Sequence, residues 1–151
     1  MSTQAQDLVV RKSVVVDCSQ QHAFDTFTER IYSWWPFETH SPSDERPETA
    51  VFEPRVGGRV YDRVASGEEH EWATVLAWEP PERFVIDWHV NPKNPSTELE
   101  VRFIPDGEQT RVELEHRGWE AYGDEADESY ANYNSGWETV LKPFVETASR
   151  S

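Results

Sequence analysis

Residues 52–63 read FEPRVGGRVYDR, and this stretch is the most informative about the fold. The pair Gly57-Gly58 favours a tight turn or a β-bulge, since residues with a Cβ disfavour the backbone angles needed there. Apolar and polar residues alternate around the pair, which is typical of an antiparallel strand with one buried face. The stretch therefore predicts antiparallel strands on both sides of a glycine turn.

The same alternation recurs along most of the chain. The double proline Pro80-Pro81 separates two such runs, and the run over residues 97–104 turns back at Pro105-Asp106-Gly107. Leu99, Val101 and Phe103 share one face of their strand, so we expect them to point inward. Strands are predicted over residues 8–16, 49–53, 59–65, 71–78, 84–89, 97–104 and 111–116.

Helical spacing is found in two places. After Asp17 or Ser19, either of which suits a helix N-cap, apolar residues recur at helical intervals until Pro36 ends the segment. A longer amphipathic helix is predicted from Ser129 to about Ala148. Only this last helix is long enough to lie across the sheet, and a curved sheet wrapped around it can enclose a cavity.

Composition limits the classes of partner. The 151 residues include 29 acidic and 14 basic side chains, for a formal net charge of −15. Such a surface repels nucleic-acid phosphates and anionic lipids, so neither nucleic acid nor a membrane is expected as a partner. One cysteine, Cys18, excludes an internal disulfide. No signal peptide or membrane span is visible, so we expect a single cytoplasmic domain over residues 1–151.

Four motifs at the ends of these elements indicate a family. They are Phe52-Glu53-Pro54 with Gly57-Gly58-Arg59, Pro80-Pro81-Glu82-Arg83 between two strands, the run from Leu114 to Trp119, and Gly136-Trp137 in the last helix. With them the chain resembles the START-like, helix-grip superfamily and, within it, the AHSA1-like SRPBCC family named for the activator of Hsp90 ATPase.

The resemblance implies an α+β helix-grip fold with a core over residues 8–147. In such a fold a curved antiparallel sheet of six or seven strands wraps a long C-terminal helix, and two short helices follow strand 1. It also implies a deep hydrophobic cavity between the sheet and that helix. The eukaryotic co-chaperones of this family carry an additional N-terminal domain, so Hsp90 is not the partner we expect here.

These features predict a binding protein for a small hydrophobic or aromatic molecule, without a cofactor and as a monomer or homodimer. One alternative is an enzyme of the cyclase, dehydratase or hydrolase kind that uses a cavity histidine. Another is a stress-related module that binds proteins through an acidic convex face. No histidine pair has the spacing of two metal ligands with a matching acid, so no metal site is expected.

His116 is the candidate catalytic residue, since its strand alternation turns it toward the concave side with Leu114. The other interpretation, which the base rate for such a histidine favours, is a core-edge residue bonded to the backbone or to Trp137. Trp34, Trp35 and Phe37 are interpreted either as an aromatic lid or as anchors of the helix end. The predicted ligand-binding residues share an inward or cavity-mouth position and are Trp34, Trp35, Phe37, His40, Trp72, Trp88, Phe103, His116, Tyr133 and Trp137.

Alternation over residues 59–64 places Arg59 and Arg63 on one face and Asp62 with Val60 on the other. An arginine turned into the cavity would bind a carboxylate or phosphate. Ion pairs with neighbouring glutamates on the outer face are the alternative that so acidic a chain favours.

Overall fold

The computed structural model describes residues 8–36, 47–89 and 95–150. These residues form one antiparallel sheet, two short helices and a long C-terminal helix that follows a 3-10 segment. In chain order the elements are β1 Val10–Val16, α1 Gln20–Phe27, α2 Ile31–Trp34, β2 Thr49–Phe52, β3 Arg59–Arg63, β4 Glu69–Glu79, β5 Arg83–Trp88, β6 Thr97–Asp106, β7 Gln109–Arg117, the 3-10 segment Trp119–Glu125 and α3 Ala126–Arg150.

The seven strands lie in the order β1-β7-β6-β5-β4-β3-β2, and every neighbouring pair is antiparallel. Strands β2 to β7 follow one another as neighbours, as sequential strands usually do. β1 closes the order by pairing with β7. The helix α3 packs on β1 and on the two short helices, so helices cover one face of the sheet. This arrangement confirms the predicted α+β helix-grip fold.

The glycine turn between β2 and β3 is confirmed and has a steric cause. Gly57 has a φ of +84°, which favours glycine. At Gly58 a Cβ would lie 2.8 Å from the Cβ of Glu53, so the two chain segments touch there. Glu53 also accepts a hydrogen bond on Oε1 from the Arg59 amide, at 2.7 Å. The turn therefore requires two adjacent glycines for two different reasons.

The register of β4 shifts twice, which decides the side chains that face inward. Val60 pairs with Ala73 while Tyr61 pairs with Glu71, so Trp72 has no partner of its own in β3. Trp72 and Ala73 are consequently both buried, although they are adjacent in sequence. A second shift at Leu76 leaves that side chain 48% exposed.

The predicted helical segment after β1 is divided into α1 and α2. Ser19 caps α1 by accepting a hydrogen bond on Oγ from the His22 amide. The helix ends at Phe27, and the next residue, Thr28, turns its hydroxyl back to the Phe24 carbonyl. The two short helices that the family resemblance implies are thus confirmed.

The outer face of the sheet carries interleaved arginines and glutamates. Glu100 lies at its centre and accepts hydrogen bonds from Arg83, Arg102 and Arg117. Arg59 and Arg63 are also on this face and pair with Glu69, so the outward alternative for these arginines is the one found. No helix within the described ranges combines the length and the apolar character that crossing a membrane requires.

Candidate functional site

Polar side chains on the inner face gather at one end of the sheet. At this end β3, β5 and β7 finish while β4 and β6 begin, because the strands are antiparallel. The N-terminal half of α3 lies against the same end and contributes aromatic side chains to it. We call this group the polar end; it comprises Asp62, His70, Trp72, Trp88, Thr97, His116, Tyr133 and Trp137.

The opposite end of the inner face is a cluster of phenylalanines. Phe27 lies at its centre, with ring centroids 4.9 Å from Phe144 and 5.5 Å from Phe84. The members of this phenylalanine end are Phe24, Phe27, Phe52, Phe84, Phe103 and Phe144, with Trp34 and Trp78 at its margin. Such a cluster gives the fold a packed apolar base, and the buried histidine and the buried carboxylate of the inner face lie at the other end.

His116 is fully buried at the polar end, and both of its ring nitrogens are bonded. Its Nδ1 lies 3.1 Å from Nε1 of Trp137, and its Nε2 lies 2.6 Å from Oγ1 of Thr97. An indole N–H can only donate, so Nδ1 accepts and the ring proton resides on Nε2. Burial, helped by the nearby Arg117, lowers the pKa of His116 to about 3. His116 is therefore a neutral imidazole that orients Trp137.

Tyr133 and Trp88 form a second polar contact beside His116. The Trp88 indole donates from Nε1 to the Tyr133 hydroxyl at 3.1 Å, and the Tyr133 and His116 ring centroids are 5.0 Å apart. Burial raises the pKa of Tyr133 above its ordinary value, so this hydroxyl keeps its proton at neutral pH. No described residue accepts that proton, so the hydroxyl is a donor available to a bound molecule.

Asp62 is a buried carboxylate that the candidate list from the sequence did not include. It has no exposed surface; Oδ2 accepts a hydrogen bond from Nε1 of Trp72 at 3.0 Å, and Oδ1 lies 2.9 Å from Nδ1 of His70. The pairing fixes His70 with Nδ1 toward the carboxylate. The signal was present in the alternation of β3, which placed an acid on the same face as Val60.

Four indole rings fill the space between these polar groups. The ring centroid of Trp35 lies 4.9 Å from that of Trp72, 6.2 Å from Trp88 and 6.0 Å from Trp137. Trp88 is in turn 5.8 Å from Trp137 and 6.5 Å from Trp72. We call these four residues the aromatic box.

The structure brings six of the predicted ligand-binding residues together at the polar end and in the aromatic box: Trp35, Trp72, Trp88, His116, Tyr133 and Trp137. Phe103 packs within the phenylalanine end, and Trp34 lies between the two groups, on Phe144 and 5.6 Å from the Trp35 centroid. Phe37 and His40 lie outside the described residues. Sequence reasoning did not select Trp119, whose ring centroid is 4.6 Å from His116 and which donates from Nε1 to the His116 carbonyl.

Cysteine and metal chemistry find no support in the described ranges. Burial, followed by the charge of Asp17, raises the pKa of the Cys18 thiol, which favours the unreactive protonated form. The described residues include no group of three or more histidine, cysteine or acidic side chains placed to hold a metal ion.

Comparison with known proteins identifies the family. The family model described as activator of Hsp90 ATPase homolog 1-like protein matches residues 17–149. The chain belongs to this family. No curated protein matches the chain.

Several solved structures resemble this AHSA1-like chain. The anthrahydroquino-γ-pyrone synthase Txn09 is 34% identical, with 95% of this chain and 99% of that chain covered at a TM-score of 0.62. The self-sacrificing resistance protein CalC from Micromonospora echinospora is 30% identical, with 95% and 96% covered at a TM-score of 0.73. The Aha1 dimer from Colwellia psychrerythraea is 14% identical, with 93% and 96% covered at a TM-score of 0.68, and shows the fold alone.

Proposed function

We propose that this protein binds a small, flat aromatic molecule at the polar end of its interior. The observation that carries the proposal is the way the indoles of Trp72, Trp88 and Trp137 are held. Each donates its N–H to a side chain of the polar end, respectively Asp62, Tyr133 and His116. Rings fixed in this way form rigid aromatic walls, which lose little entropy when a ligand binds.

The polar side chain beside the indoles indicates which chemical groups the ligand carries. The Tyr133 hydroxyl is a hydrogen-bond donor among apolar rings, so it favours a ligand that carries a carbonyl or hydroxyl oxygen on an aromatic frame. The name of Txn09, a relative 34% identical, supports the same class, since it describes a synthase of a fused, oxygen-bearing aromatic system. We therefore propose an oxygenated polycyclic aromatic ligand.

Two measurements test this function. Native mass spectrometry of the freshly purified protein detects any bound small molecule, and denaturing release then gives its mass. Titration with 1,8-dihydroxyanthraquinone, followed by quenching of tryptophan fluorescence, tests the ligand class directly. Saturable one-to-one binding is the expected result; lack of saturation together with an empty protein would contradict the proposal.

Tyr133→Phe tests the role of the hydroxyl in this binding. Loss of one neutral hydrogen bond removes roughly 0.5–1.5 kcal/mol, which is a loss of about two- to tenfold in affinity for 1,8-dihydroxyanthraquinone. Tyr130→Phe on the same helix is the matched control, since the Tyr130 hydroxyl makes no hydrogen bond to a described residue. Equal affinities of the two variants would remove Tyr133 from the site.

The Asp62–His70 pair favours a second candidate function, proton transfer to or from the bound aromatic molecule. The Asp62 carboxylate holds Nδ1 of His70, and Nε2 lies 3.8 Å from Oε1 of the exposed Glu68. A carboxylate paired with an imidazole in this way is a common arrangement of general bases. The test is to incubate the molecule released from the purified protein with fresh protein in deuterium oxide and to follow by mass spectrometry the exchange of its carbon-bound hydrogens for deuterium. A change with the wild type that is abolished by His70→Gln and retained by His22→Gln would support catalysis; an unchanged molecule would contradict it.

A further inference from the structure

Trp35 differs from the other three members of the aromatic box in the element that carries it. Trp72, Trp88 and Trp137 belong to β4, β5 and α3, which are elements of 11, 6 and 25 residues. Trp35 follows α2, a helix of four residues with no side-chain hydrogen bond at its N-cap. It has an extended backbone, and Pro36 follows it.

Despite this short support, the Trp35 ring occupies the middle of the box. Its centroid lies within 6.2 Å of each of the three wall tryptophans, and only 8% of the residue is exposed. Its neighbour Trp34 donates from Nε1 to the Thr26 carbonyl at 2.8 Å and packs on Phe27 and Phe144. The Trp34 and Trp35 ring centroids are 5.6 Å apart, so Trp34 packs on the phenylalanine end and contacts the aromatic box at Trp35.

From this central position directly after a four-residue helix we infer that the Trp35 indole stands in the place of a ligand ring. A fused aromatic ring system binds between Trp72, Trp88 and Trp137 after the Trp35 side chain has moved out of the aromatic box. The inference rests on the proposed function and adds the position of the ligand ring and the residue that competes for it. It also sets the size of the ring that enters, since the indole that leaves is bicyclic.

Competition by Trp35 has a measurable consequence. When only a minor, open state accepts ligand, the apparent affinity falls by the fraction of molecules in that state. A minor state populated at about 10% or less corresponds to a loss of about tenfold or more. Removing the indole should therefore tighten binding, whereas removing a wall of the site would weaken it.

The experiment measures the dissociation constant of 1,8-dihydroxyanthraquinone by isothermal titration calorimetry. We expect Trp35→Ala and Trp35→Leu to bind about tenfold or more tightly than the wild type. The leucine variant keeps apolar volume and serves if the alanine variant does not fold. Trp34→Leu is the matched control, from which we expect no tightening because its ring packs on Phe27 and Phe144 and meets the aromatic box at Trp35, outside the three walls.

A second readout follows the ring itself. The indole N–H signal of Trp35 in a nitrogen-15 correlation spectrum is assigned by its loss in Trp35→Leu. On addition of 1,8-dihydroxyanthraquinone to the wild type, it should move to the position of a solvent-exposed indole while the Trp137 signal stays in a buried environment. A Trp35 signal that stays buried at saturation would overturn the inference.

The outcomes separate this inference from the proposed function. Saturable binding by the wild type with equal or weaker binding by both Trp35 variants keeps the function and overturns the displacement of Trp35. Binding by a Trp35 variant alone supports displacement strongly, since the wild type is then blocked by its own side chain. Absence of binding by the wild type and by both variants rejects the proposed ligand class and the inference together.

Discussion

The indole nitrogen of Trp137 lies 3.1 Å from Nδ1 of His116, and the two residues come from α3 and β7. The contact requires a neutral imidazole, because a protonated ring has no lone pair with which to accept the indole N–H. It therefore connects the position of an aromatic wall to the protonation state of a buried histidine.

This connection predicts a stability that falls in acid. The pKa of His116 is about 3 in the folded protein, below the ordinary value of 6.5, so the unfolded chain binds a proton first as the pH falls. The contribution of His116 to the free energy of unfolding is therefore fully present above pH 6.5. It is lost as the pH falls from 6.5 toward 3, by at most about 1.4 kcal/mol per pH unit. Chemical denaturation over this pH range should show that the free energy of unfolding depends less steeply on pH in His116→Gln than in the wild type. Equal pH dependence of the two proteins would contradict this prediction.

Asp62 should contribute to stability through its buried hydrogen bonds. Asp62→Ala removes the acceptor of the Trp72 N–H, and an unsatisfied buried donor costs about 1–3 kcal/mol. Asp62→Asn keeps one acceptor oxygen and should cost less. Asp87→Ala is the control, because that carboxylate pairs with His89 on the exposed side, and such changes stay within about 0.5 kcal/mol. Urea denaturation measures the free energy of unfolding that each variant loses. Equal losses for Asp62→Ala and Asp87→Ala would refute the role of the buried hydrogen bonds.

Glu100 should contribute more to the stability of the fold than an exposed glutamate in an ion pair does. Burial alone would raise the pKa of Glu100, but hydrogen bonds from Arg117 and Arg102 outweigh it and lower the pKa. Glu100→Gln should cost about 1.5–3 kcal/mol, the usual value for bonds to charged groups. Glu138→Gln breaks the exposed pair with Lys12 and should cost clearly less than Glu100→Gln. Only the second loss should vanish in 1 M salt; a loss at Glu100 that salt also removes would contradict its burial.

The two glycines of the β2–β3 turn should differ in their tolerance of alanine. Gly57→Ala meets no atom within 4 Å but has to adopt a φ of +84°, at a cost of roughly 1–2 kcal/mol. Gly58→Ala places a Cβ 3.0 Å from two backbone carbonyl oxygens, which cannot move aside as a flexible side chain can. Thermal unfolding should therefore show the larger loss for Gly58→Ala, and the reverse order would be incompatible with this turn.

The sequence predicted β6, β7 and the long helix well because each has a clean period. Leu99, Val101 and Phe103 face inward as their alternation predicts, and His116 shares the concave face with Leu114. These assignments depend only on neighbours within one strand, which a sequence displays directly.

The site was harder to predict because its members meet through the fold. Asp62 and His70 pair across two strands, and Trp35 reaches Trp137 from an element near the other end of the chain. Trp34 and Trp35 have identical chemistry in the sequence, but α2 ends at Trp34 and Trp35 has an extended backbone, so the first packs on Phe27 and Phe144 and the second on Trp72 and Trp137. Such partners are set by tertiary packing, which local periodicity does not encode.

The double register shift of β4 has a consequence for comparing relatives of this protein. Each register shift reverses which residues of the strand point inward and which point outward on its N-terminal side. His70 and Trp72 therefore face the interior only because one extra residue lies before Ala73. A homologous strand one residue shorter would turn the corresponding side chains to solvent and bring an outward residue such as Glu71 inside. Equivalent site residues in this family therefore have to be matched by superposed strands, because an ungapped sequence alignment would pair residues from opposite faces of the sheet.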